Sequence, residues 1–361
     1  MQTLYTMPLR YHPSMEHAEP DENATFEEMA DTLRSISKKT LADGGHGLRS
    51  VHAKSQGLLK GELSVLPQLP EALAQGIFSE PRTMDVVMRL STTPGDLLDD
   101  KVSTPRGMGV KVLDVQGERL PGAHAERTQD LVMINGPAFG TSNAKAFLKN
   151  LKLLAPTTDK AEGLKKALSA VLRGLEKVVE AAGGESGTLK SLGGHPLTHI
   201  LGEIFYTQVP VLYGPYIAKF QLVPVSPNLL ALKGEVLDLH EHPNGIRDAV
   251  VAFFDQNDAE WELRVQLCTD LPSMPIEDAA VRWPEEKSPF IAVARLHVPR
   301  QIAWSDSESP RQEDRLFFNP WHCIAAHRPV GSIMRARKVA YDASAKFRAA
   351  ANLVDISETT A

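Results

Sequence analysis

Near the end of the chain Arg337, Tyr341 and Arg348 stand at positions i, i+4 and i+11. At about 100° per residue on an α-helix, those offsets bring the three side chains within roughly 40° of one another, on one face. Tyr341 and Arg348 would then lie about 10 Å apart along the axis. A tyrosine oxygen is a poor metal ligand until it ionises, and a guanidinium one turn away stabilises the phenolate as an opposite charge and as a hydrogen-bond donor. The face therefore suits an anionic oxygen ligand at Tyr341 assisted by Arg337. Spacing alone is met more simply by two solvated arginines flanking a half-buried tyrosine, so both readings stay open on the pattern.

Such a face needs a helix, and the chain after Asn319-Pro320 is predicted helical to its end, with Pro329 at a helix start and an Ala-rich run over 334–353. Upstream, residues 48–115 alternate short β-patterned runs with Gly and Pro. The clearest run is 84–92, where Met84, Val86, Met88 and Leu90 share one face and Asp85, Val87, Arg89 and Ser91 the other. The pattern reads that second face as solvated. Between 143 and 184 the period changes to 3.6: Leu164, Leu168, Val171, Leu172, Leu175, Val178 and Val179 form a stripe, with Asp159 as N-cap and Gly183-Gly184 as the stop. Strands are expected again at 205–212, 218–225, 261–268 and 291–298, with Asn244-Gly245 read as a turn. Residues 1–45 read as an arm over the core with a short helix at 26–37, and 46–361 as one domain. The fold class is α+β: a β-rich centre, a helical insertion at about 143–184 and a C-terminal helical segment at about 320–353.

Composition removes several function classes. With 42% hydrophobic and 23% charged residues the 361-residue chain is ordinary for a globular protein, and no stretch nears the roughly 20 apolar residues that span a bilayer. The polar, Pro- and His-containing start has no apolar core of a secretory signal, so a cytoplasmic site is expected. Cys268 and Cys323 have no partner at metal-binding or redox spacing and read as free thiols. A net charge of −6 with mixed signs offers no basic stripe for nucleic acid. A homo-oligomer is compatible with all of this.

Arg337-Lys-Val-Ala-Tyr341 followed by Arg348 resembles the proximal haem-ligand motif of catalases. Arg49-Ser-Val-His52-Ala-Lys54 is similar to that family's distal segment, and Met88-Arg89-Leu90-Ser91-Thr92 to the strand after it. Pro105-Arg106-Gly107-Met108-Gly109-Val110-Lys111 resembles the next strand. Asp130-Leu131-Val132, Asn135, Pro137, Phe139 and Phe147 follow the segment that covers the haem. These matches run in the family's order at about its spacing. With weaker likeness around Trp283-Pro284 and Phe318-Asn319-Pro320, they cover most of residues 46–350.

The resemblance implies a catalase-like antiparallel β-barrel that binds haem b through Tyr341 as axial iron ligand; catalase is a standard example of tyrosine ligation. It implies His52 as distal acid/base toward hydrogen peroxide or an organic hydroperoxide, ending in an oxidised, ferryl-type haem that a small organic reductant restores. Ser91 would fix the imidazole tautomer, and Asn135 would help orient the peroxide. Arg49, Arg89 and Arg348 would clamp the propionates. Arg337 would support the ligand, Val51 would border the haem and Phe139 and Phe147 would cover it. The chain departs from the family at Ile134-Asn135, where catalases carry an Asn-Asn pair whose first member orients peroxide. It is also shorter, and segments like the family's NADPH site are not recognisable. A peroxidase with reduced catalase activity is the first expectation. The alternatives are a hydroperoxide-rearranging enzyme like the allene oxide synthases, which carry Thr where Val51 stands, and a non-enzymatic haem binder.

Overall fold

Alternation along residues 83–92 makes a strand with two unlike faces, and the rest of the molecule is organised around both. The computed structural model describes residues 7–121, 123, 127–154 and 197–356. Its strands are β1 (Lys54–Val65), β2 (Thr83–Thr92), β3 (Arg106–Val112), β4 (Gln129–Ile134), β5 (Phe205–Tyr206), β6 (Val211–Tyr213), β7 (Tyr216–Pro224), β8 (Ala259–Leu267) and β9 (Ile291–Val298). They hydrogen-bond antiparallel in the order β5-β4-β3-β2-β1-β9-β8-β7-β6, and β5 also pairs with β7. That last pairing closes an eight-stranded barrel and leaves β6 as a hairpin arm on β7. Closure removes the open edges that a sheet of this size would otherwise expose.

Register fixes what each face holds. Leu90 pairs with Met108 and Met108 with Met133, and these side chains join Phe220, Leu222, Trp261 and Leu263 in the main apolar core. The opposite face carries Arg89 beside Gly109, then Ser91, Gly107 and Ile134 in one row. This is the face that the pattern reads as solvated, and that reading is wrong: Val87, Arg89 and Ser91 are all buried. Period two distinguishes two faces of a strand but does not say whether the more polar one meets water or another layer.

Six α-helices cover the barrel among the described residues: α1 (Glu22–Gly44), α2 (Ala144–Leu154), α3 (Pro227–Ala231), α4 (Gly245–Gln256), α5 (Ser309–Arg315) and α6 (Ser332–Asn352). α1 is much longer than the expected 26–37, and its Phe26, Met29, Leu33 and Ile36 enter the main core, so the N-terminal arm is built into the domain. Asn244-Gly245 opens α4 instead of a hairpin, because Ile246, Val250, Phe253 and Phe254 recur at helical spacing and are buried there. The expected strand at 205–212 is split into β5 and β6. α2 supplies the start of the helical insertion; the stripe from Leu164 to Val179, with Asp159, Gly183 and Gly184, lies outside the described residues. The chain after Pro320 is not helical throughout: apart from a short turn of 3-10 helix at Ala325–His327 it stays irregular until α6. Gly331 adopts φ +90°, and a Cβ there would lie 2.5 Å from the Ile276 carbonyl oxygen, so only glycine lets the chain turn into α6. Both cysteines are buried and neither forms a disulfide. No described helix is long and apolar enough to cross a membrane.

Candidate functional site

Arg337, Tyr341, Ser344 and Arg348 share one face of α6, and that face carries contacts to the segment before β1 and to α5. The link is explicit at Ser344, whose Oγ is 3.0 Å from the Oγ of Ser50, two residues before His52. Tyr341 itself is half-buried, and its hydroxyl has no hydrogen-bond partner among the described residues. Arg337 does not bond it. Its guanidinium lies 5.7 Å from the centroid of the Phe139 ring, which in turn packs on Phe147 at 5.3 Å.

On the barrel side, His52 holds φ +53°, a left-handed conformation that is unusual for a residue with a side chain. Its neighbour keeps it there: the Ala53 N–H donates to the Pro94 carbonyl at 3.0 Å, and the Ala53 carbonyl accepts from Arg89 at 3.2 Å. The imidazole Nδ1 meets Ser91 Oγ at 3.2 Å. The space for this pair is a missing side chain, since a Cβ on Gly107 would stand 2.6 Å from His52 Nδ1 and 2.8 Å from Ser91 Oγ. Burial, with the Arg89 and Arg337 charges, pushes the His52 pKa down to about 3, so the ring is neutral at ordinary pH. Next to it, Val51 is 36% exposed, an aliphatic side chain without protein cover.

Arg49, Arg89 and Arg348 converge, and the meeting point is the short helix α5. Arg89 Nε donates to both carboxylate oxygens of Glu313 at 2.7 and 3.0 Å, and Arg49 donates to the same carboxylate. Arg49 Nη2 donates to the Leu316 carbonyl at 2.9 Å. Arg348 donates to the carbonyls of Glu313 at 2.6 Å, Asp314 at 2.9 Å and Leu316 at 2.8 Å. Arg49 and Arg89 thus share one buried carboxylate, while Arg49 and Arg348 bond the carbonyl end of α5, the end at which a helix favours cations. Burial alone would raise the Glu313 pKa, but the Arg49 and Arg89 charges overcome it and hold it at about 2. Burial and the neighbouring Arg49 charge lower Arg348 to about 9 and Arg89 to about 10. Sequence reasoning missed Glu313, because the run Arg311-Gln312-Glu313-Asp314-Arg315 has the look of a solvated helix.

Asn135 departs from expectation. Its Oδ1 accepts from the Arg106 N–H at 2.9 Å and its Nδ2 donates to Glu203, in a cluster that Arg106 and Thr198 complete. The residue in the same row as Ser91 and Gly107 is Ile134, the last residue of β4. Alternation along the strand sends these two neighbours to opposite sides, so the apolar one faces the site. Lower in the same wall a fully buried Lys111–Asp130 ion pair at 2.7 Å fixes the turn at Asn319, whose N–H donates to Asp130 at 2.8 Å. Asn319 Nδ2 then donates to Asp342, the residue after Tyr341, at 3.0 Å. The wall and the helix are therefore bonded to each other on the far side of Tyr341 as well.

A fungal catalase superposes over 96% of this chain with a TM-score of 0.59 at 16% identity. The fold is that of a catalase. Catalase A from Saccharomyces cerevisiae matches with a TM-score of 0.59 at 14% identity over 96% of the chain, and a bacterial catalase with 0.57 at 15% over 98%. The chain spans 66 to 68% of the length of these catalases. No family model matches the sequence, and no curated protein matches it. The catalase fold accounts for the barrel and for its helical cover.

Proposed function

We propose that this chain is a haem-dependent peroxidase with catalase-like chemistry, acting on hydrogen peroxide or an organic hydroperoxide with a small organic reductant. The observation that carries the reading is the pairing of two surfaces. A tyrosine with an unpartnered hydroxyl stands on α6, a helix bonded through Ser344 to Ser50, two residues before a neutral histidine that Ser91 positions. The residues fit haem b on several counts. Tyr341 offers an oxygen ligand, Val51, Phe139 and Phe147 offer apolar cover, and Arg49, Arg89 and Arg348 offer more positive charge than Glu313 balances. Bound there, haem b supplies the two electrons that break the peroxide O–O bond, and the reductant returns them.

The rest belongs to the chain's own groups. His52, neutral, accepts the proton of the peroxide's inner oxygen and donates it to the outer oxygen, which leaves as water or alcohol. Ser91 holds Nδ1, so the proton is handled at Nε2. Ile134 gives the site an apolar wall where catalases place a hydrogen-bond donor. A second peroxide is then poorly oriented, and the balance moves toward peroxidase chemistry. Val51 before the histidine, where allene oxide synthases have threonine, favours peroxide reduction over rearrangement.

The deciding experiment is reconstitution of the purified protein with haem b, followed by its absorption spectrum. Wild type should show a stable Soret band that Tyr341→Phe loses or shifts through a change of spin state. An identical Soret spectrum in the two proteins would overturn the ligand assignment and the reading with it.

A further inference from the structure

The three arginines do not wait with free charges. Glu313 is buried to 7% exposure, and its carboxylate is bonded to Arg89 through both oxygens and to Arg49. Arg348 and the second nitrogen of Arg49 spend their donors on main-chain carbonyls of residues 313, 314 and 316, so both stay in place whatever the charge at Glu313. Arg89 Nη1 forms no hydrogen bond among the described residues, so donor capacity remains in the cluster. A carboxylate at this spot has two opposite consequences. It offsets part of the repulsion among three neighbouring cations, of which Arg89 and Arg348 are buried and Arg49 is partly exposed. It also engages the guanidinium groups that a second carboxylate would use, and repels that carboxylate.

We propose that Glu313 is a built-in counter-anion of the arginine cluster, one that stabilises the cofactor-free fold and opposes binding of a carboxylate-bearing cofactor at the same arginines. The inference rests on the haem reading for the identity of that cofactor, but its first half concerns the empty protein alone. Glu313 acts through Arg49 and Arg89 and is therefore a positioning residue. Its charge sets the exchange between an internal acid and the cofactor's own.

Glu313→Gln is the informative variant because it keeps the shape and an acceptor oxygen while removing the charge. Expected are a fall in the melting temperature of the cofactor-free protein by about 5 °C and a gain in haem affinity of about tenfold. The preference for haem b over its dimethyl ester, which has no free acids, should rise from wild type to Glu313→Gln. Loss of stability together with weaker haem binding and an unchanged ester preference would make Glu313 a simple brace and overturn the proposal. A second arm needs no haem. Acetate should raise the melting temperature of Glu313→Ala, by refilling the slot among the arginines, and leave wild type unmoved. No rescue by acetate would also overturn the proposal. If neither wild type nor Glu313→Gln bound haem, the haem reading would fail by itself, and the acetate arm would still decide on the anion slot.

Discussion

α6 carries charge at both ends, and the ends are near mirror images. At its start Arg335 is gripped by three carboxylates: Glu16 at 3.0 Å, Glu22 at 2.8 Å and Glu277 at 3.0 Å. Two of these also cap the helix, Glu277 accepting from the Ser332 N–H and Glu16 from the Gly331 N–H. Acids at a helix N-terminus are where the macrodipole favours them, and the N-terminal segment is thereby fastened to the helix. Toward its other end Arg348 bonds the carbonyls of Glu313, Asp314 and Leu316, beside the single carboxylate that Arg49 and Arg89 share. One end has acids in excess at a half-exposed seam, where water settles the balance. The other has arginines in excess in a buried place, where an anion must settle it. α6 is thus fastened at its first turn and carries excess positive charge near its last.

The largest test of that contrast removes the arginine from each end in turn. Arg348→Ala should weaken haem binding by about 30-fold or more, the equivalent of at least 2 kcal/mol for a buried carboxylate losing its partner. Arg335→Ala should lower the melting temperature yet leave haem affinity within about twofold, since the groups around it are partly exposed. Equal loss of haem from both variants would mean that α6 responds as one body and that the contrast has no functional content.

Acid should sharpen the same comparison in the cofactor-free protein. Glu313 has a folded pKa of about 2 against an ordinary 4.5, so its contribution is complete above about pH 4.5 and is lost as pH falls toward 2. Wild type should therefore lose on the order of 3 kcal/mol more than Glu313→Gln across that window, read by urea unfolding at a series of pH values. His52, at about 3, and His199 and His327, at about 4, are neutral when folded and take up protons only on unfolding. Their share of stability is present above about pH 6.5 and declines below it in both proteins. Parallel curves for wild type and Glu313→Gln would show that the arginines do not depend on that carboxylate.

The smallest expected effect lies on the barrel wall. Ile134→Asn should raise oxygen release from hydrogen peroxide a few-fold while changing peroxide-dependent dye oxidation less, because a donor there orients a second peroxide and does nothing for an organic reductant. Haem affinity and the Arg335 seam should not change. Equal gains in both activities would show that Ile134 is only wall.

Much of this could be read from residue order, for reasons that differ by element. α6 was legible because Arg337, Tyr341 and Arg348 keep a helical period over three turns, and β2 and β9 because alternation is strong in both. The resemblance to catalases added the pairing of distant segments that no local period contains. What stayed hidden has physical reasons. α4 was lost to the hairpin habit of Asn-Gly, which the apolar period after it overrides. Glu313 was lost because a charged run on a short helix looks the same whether water or arginines face it. Asn135 was expected at the distal side since its amide is the right chemistry, but strand parity gives that side to Ile134 and leaves the amide to Arg106 and Glu203. Gly107 carries no group to notice; its contribution is a space.

The row of Ser91, Gly107 and Ile134 lies on the outside of the barrel, while Met88, Leu90 and Met108 fill the inside. This separation bears on how the protein matures. The barrel's apolar interior is filled by side chains of its own strands, and the pairing of β5 with β7 closes it. His52, Ser91 and Gly107 are synthesised early and are set in the wall by that closure, whereas Tyr341 emerges only after all nine strands. The main apolar core itself takes in Ile333, Met334, Ala336 and Ala340 of α6, so the packing around the barrel is completed only by the last helix of the described chain.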